Sequence, residues 1–77
     1  MKKAKLINNE AGTGKVMIFE KPHTMSPILG LVKNDTECEV LEGPMPTEDH
    51  YPGIYLYKVK VDGKIAYVNT KYVKVRK

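Results

Sequence analysis

Cys38, His23, His50, Ser26 and a set of carboxylates are the side chains of this 77-residue chain that could do covalent chemistry. Nucleophilic catalysis needs a nucleophile, a base and an orienting group converging in one pocket. Cys38 lies in the alternating segment Thr36-Glu-Cys-Glu-Val-Leu-Glu42, where it shares a face with Val40 and opposes Glu37 and Glu39. That pattern makes it a small core hydrophobe. The two histidines sit in proline-flanked loops, so no catalytic residue is expected. Glu48-Asp49-His50 is the one tight group of metal-ligating types, and three adjacent residues rarely converge on one ion. It reads as a solvated loop tip, and no metal or cofactor is expected. Gly12-Thr13-Gly14-Lys15 has part of a phosphate-loop composition but not its spacing, because Val16 follows the lysine and no helical pattern begins there. Asn34-Asp35-Thr36 fits a glycosylation acceptor, and between two apolar segments it reads as a hairpin turn.

Binding is the chemistry the remaining residues suit. Tyr51, Tyr55, Tyr67 and Phe19 could line a groove for an extended or proline-rich peptide, since aromatic rings give contact area at low rotamer cost. Tyr57 and Tyr72 are expected to pack in the interior. The stretch Glu42 to Gly53 carries Met45 and Tyr51, with Ile54 just beyond, and is a second candidate surface. The alternative is nucleic acid on the basic C-terminal third, with Lys58, Lys60 and Lys64 as the contacting residues and tyrosines interleaved. Against that alternative stand a single arginine and an acidic middle: residues 34–54 carry six carboxylates and no Lys or Arg, between basic flanks, for a net charge of +4. An acidic middle of this kind can pair internally across a compact domain.

The elements that must position these residues are strands. No window of a dozen residues keeps a helical apolar period without a Gly or Pro break. Strands are predicted over Lys3–Asn8, Val16–Phe19, Ile28–Val32, Thr36–Glu42, Tyr55–Val61, Lys64–Asn69 and Val73–Arg76, with one helical turn at Thr70–Tyr72. Glu10–Gly14, Glu20–Pro27 and Gly43–Gly53 read as loops, the last because of Pro44, Pro46 and Pro52. Asp62-Gly63 is the strongest hairpin signal. Six or seven short strands in one domain are too few for two covered sheets. A single strongly bent barrel is expected, because closure removes exposed edges. The chain is predicted to be one domain over 1–77, with its core at about 4–75. No run of about 18 apolar residues predicts a membrane span. The start, MKKAKLINNEAG, has the basic residues of a signal peptide without its apolar stretch. The single cysteine fits a reducing compartment.

The order of these signals resembles the bacterial SH3 domain family. Val16-Met-Ile-Phe19 and Lys21-Pro22 hold the places of its opening strand and turn. Ile28-Leu29-Gly30, Val32, Lys33-Asn34-Asp35-Thr36 and Cys38-Glu39-Val40-Leu41 repeat its middle. Leu56-Tyr57-Lys58-Val59, Gly63, Ala66-Tyr67-Val68 and Lys71-Tyr72-Val73 fall in register with its second half. The departures are Phe19 for a frequent Arg, Leu56 and Tyr67 for frequent Trp, and Ala66 for a frequent Gly, and they bear on ligand contacts rather than on fold.

The resemblance implies an SH3-like barrel of five to seven strands that binds rather than catalyses. Relatives hold peptidoglycan or its peptides, or serve as docking units in phage-encoded proteins. A copy with no evident export signal fits a phage or mobile-element structural protein or an intracellular adaptor, cytoplasmic or virion-associated. The sequence leaves the oligomeric state open.

Overall fold

The computed structural model describes residues 2–8 and 14–75. Seven strands follow one another: β1 (Lys2–Leu6), β2 (Lys15–Phe19), β3 (Ile28–Lys33), β4 (Thr36–Pro46), β5 (Tyr55–Val61), β6 (Lys64–Asn69) and β7 (Val73–Val75), with a 3-10 turn η1 (Thr70–Tyr72) before the last. All pairings are antiparallel, in one sheet of order β3-β2-β6-β5-β4-β1-β7.

The alternating residues explain why this sheet curls. Ala4 and Leu6, Val16 and Ile18, Cys38 and Val40, Val59 and Val61, and Ala66 and Val68 are buried in a single cluster. Leu29 and Val32 from β3 and Val73 and Val75 from β7 pack against it. All seven strands therefore feed one interior, which a flat sheet could not supply. The protein is a small all-β, barrel-like domain, 30 × 29 × 21 Å. Its core is made of short aliphatics; Leu6, Val16, Val59 and Val68 are fully enclosed, each contributing roughly 1.5–3 kcal/mol.

Turn chemistry fixes the register. Asp62 and Gly63 have φ of 51° and 75°, the left-handed pair that a two-residue hairpin needs to match strand twist. Asp35 turns β3 into β4 with φ of 68°. That second turn is tied down: the Asp35 backbone N–H donates to the Leu6 carbonyl at 2.9 Å, and that of Asn34 to the Gly14 carbonyl at 2.8 Å. The Asn34 side chain accepts from the Asn8 N–H at 2.8 Å and donates to the Asn8 carbonyl at 3.1 Å. Asn34 is thus a structural clasp.

One predicted boundary is corrected. Gly43–Gly53 is not all loop: β4 continues through Pro44 to Pro46, with Met45 opposite Leu56 and Pro46 opposite Tyr55. Prolines remove ladder donors, and strands admit them at irregularities. The register of β4 shifts between Val40 and Glu42 and again between Glu42 and Met45, which is where the prolines are absorbed. Gly43 is required there, because its φ is +118° and an added Cβ would lie 2.9 Å from the Leu56 carbonyl oxygen. The remaining predicted strands agree within two residues, although β1 ends at Leu6 rather than Asn8. Arg76 and residues 10–13 of the first predicted loop lie outside the described residues.

Candidate binding groove

β2 is ladder-paired with β6 at one position, Phe19 opposite Tyr67. From there toward Lys15 the two strands part, and η1 faces the gap. The result is a groove of about 490 Å³ lined by Lys15, Met17 and Phe19 of β2, Leu31 of β3, Lys71 and Tyr72 of η1, and Asn8 and Asn69. Its position follows from strand parity. Val16 and Ile18 enter the core, so Lys15, Met17 and Phe19 must face out. Met17 is directly opposite Leu31, and they are 40% and 57% exposed. The η1 wall is anchored by hydrogen bonds. The Asn69 side chain accepts from the Lys71 N–H at 3.1 Å, and the Tyr72 carbonyl accepts from the Ile7 N–H at 2.8 Å. Lys71 Nζ sits 5.0 Å from the Tyr72 ring centroid, within cation–π range.

A smaller hollow of about 130 Å³ adjoins Phe19, lined also by His23, Thr24, Thr47, Ile54 and Leu56. Here the turn 20–27 meets the connection 47–54. The Glu48 N–H donates to the Pro22 carbonyl at 2.7 Å, the Thr24 hydroxyl donates to the Asp49 carboxylate, and the Tyr51 N–H donates to buried Thr47 Oγ1 at 2.9 Å. The Thr24 contact holds the Asp49 carboxyl down at about 2. Ile54 and Leu56 line the same hollow, and Leu56 is buried outside the main core cluster.

Phe19 and Tyr67 are brought side by side, both half-buried. Tyr51 and Tyr55 are 54% and 51% exposed and line neither of these hollows. Tyr57 packs against the core, and Tyr72 does so while also forming the groove wall. Sequence reasoning missed Met17, Leu31 and the groove role of Tyr72. The signal was Val16-Met-Ile-Phe19: four apolar residues in a strand with one face in the core must expose apolar groups on the other.

The basic residues meet acids across the ladder. Lys58 is opposite Glu42 and Lys60 opposite Glu39, while Lys64 projects at the β5–β6 hairpin. On the other flank of β4, Glu39 faces Lys3 and Glu37 faces Lys5. A shallow hollow of about 290 Å³ on this face is lined by Lys3, Cys38, Glu39 and Lys60 among others. Burial pushes the Cys38 thiol up to about 11, which disfavours its thiolate. Among the described residues, no three His, Cys, Asp or Glu side chains group so as to hold a metal ion, and no helix is long and apolar enough to cross a membrane.

Fold and groove together define a small all-β domain with an outward apolar cleft. No protein-family model, curated protein or solved structure matches the chain.

Proposed function

We propose that this chain is a non-catalytic docking domain that holds an extended segment of a partner protein in the groove between β2 and η1. The observation that carries the reading is the cleft itself: Met17 and Leu31 stand exposed beside half-buried Phe19 and Tyr72, a clustering of apolar groups that a solitary domain gains nothing by leaving wet. The resemblance to bacterial SH3 domains supports it, since those are binding modules. On that likeness the chain is an SH3-like barrel serving as a phage or mobile-element structural component or an adaptor, and wall-derived peptides are a further ligand class. The disfavoured Cys38 thiolate supports the non-catalytic part. The acids opposite Lys58 and Lys60 weigh against nucleic acid, whose phosphates need unopposed cations.

The test is selection of displayed 12-residue peptides on the folded domain, followed by amide-resolved NMR titration of the winners. They are expected to perturb Met17, Phe19, Leu31 and Tyr72, and to bind Leu31→Asp roughly tenfold or more weakly. Winners that map instead to Tyr51 and Tyr55 would move the site. Random DNA that binds at about 50 mM salt through Lys58, Lys60 and Lys64, and is released by about 200 mM, would replace the reading.

A further inference from the structure

Charge is distributed unevenly around the sheet. Along β4 each glutamate of the ladder has a lysine opposite it: Glu37 faces Lys5, Glu39 faces both Lys3 and Lys60, and Glu42 faces Lys58. At the groove the arrangement is reversed. Lys15 of β2 is directly opposite Lys33 of β3, both are exposed, and residues directly opposite in an antiparallel pair share a face. Like charges so placed are destabilising. The second like pair in the sheet, Lys5 with Lys74, has Glu37 on the other side of Lys5. Among the described residues, Lys15 has Lys33 as its ladder partner and no acid is paired with it. Lys71 stands on the opposite wall, and none of the described residues lining the groove is acidic.

We infer, building on the docking reading above, that the segment seated in this groove is acidic: an extended peptide with apolar side chains against Met17, Leu31 and Tyr72 and carboxylates beside Lys15 and Lys33. The chemistry fits on both counts. The apolar floor takes alternate side chains of an extended chain. The lysines at the rim gain from opposite charge and relieve the repulsion between Lys15 and Lys33. Recognition of this kind steers encounter and penalises basic partners more than it adds raw affinity, so it predicts discrimination that salt erases.

Three synthetic probes test it: a 12-residue peptide alternating Glu with Leu and Val, its Gln counterpart, and its Lys counterpart, each titrated against the intact chain by amide-resolved NMR. The expected result is that the Glu peptide perturbs Met17, Leu31 and Tyr72 and binds roughly tenfold tighter than the Gln peptide at about 50 mM salt. That preference should shrink as the screening length falls to about 3 Å near 1 M, and Lys15→Glu should abolish it. Equal affinity of the Glu and Gln peptides, or preference for the Lys peptide, overturns the acidic inference and leaves the groove reading intact. So does failure of all three to bind while display-selected peptides do seat there. Perturbation confined to Lys3 and Lys60 overturns it too. A dimer in sedimentation equilibrium that Lys15→Glu breaks would give the groove to a second copy of the chain, and the partner-peptide inference would fall.

Discussion

The two flanks of this sheet handle the same residue type in opposite ways. Across β1, β4 and β5, lysines alternate with glutamates from strand to strand, so each of these acids has an opposite charge as its ladder neighbour. Across β2 and β3, lysine faces lysine over an apolar strip. The first flank is what a domain does to stabilise itself. The second costs stability, and such costs persist where a surface has other work. A net charge of +4 therefore says little on its own, because most of the basic strands are already answered by β4.

The largest effect expected on this contrast concerns backbone fit. Gly43→Ala on the β1–β4–β5 flank should lose about 2 kcal/mol or more in urea denaturation, because the new Cβ meets the Leu56 carbonyl at positive φ. Gly30→Ala on the groove flank has nothing within 4 Å and should lose nothing. Equal losses would erase the distinction between a closed flank and an open one. Charge comes next. Glu39→Lys sets a third lysine between Lys3 and Lys60 and should cost about 1–2 kcal/mol, shrinking as salt is added.

Titration effects are smaller. Burial holds the Cys38 thiol at about 11, above its ordinary 9.0. Its neutral form therefore contributes stability in full below pH 9.0, and that contribution is lost as pH rises through about 11. Cys38→Ala should flatten the fall in urea midpoint over that window relative to the parent. Asp49 behaves in the opposite sense. Its carboxyl is held near 2 instead of 3.8, so the link between the two loops persists down to pH 3.8 and loosens as pH approaches about 2. Thr24→Val should return the Asp49 NMR titration midpoint toward the ordinary value.

The contrast also marks what the sequence could and could not disclose. Tyr55–Val61, Asp62-Gly63 and Lys64–Asn69 were legible to the residue, since clean alternation and a left-handed turn pair are local signals. The inward Cys38 and Val40 were legible for the same reason. The extension of β4 to Pro46 was not, because proline reads as a break unless a register shift absorbs it. The groove was legible only in Phe19. Of its other walls, Met17 and Leu31 meet through β2–β3 pairing, whereas Tyr72 comes from near the other end of the chain, and no local signal shows that it joins them. Tyr51 and Tyr55 are aromatics near turns, a composition signal that carries no information about which surfaces meet.

The most direct measurement is the thermal midpoint of Lys15→Glu at low ionic strength. If Lys15 and Lys33 repel across the ladder, an acid opposite Lys33 should raise the midpoint by roughly 1–4 °C. An unchanged or lowered midpoint would mean that the pair costs nothing, and the groove would lose its claim to be waiting for an acid.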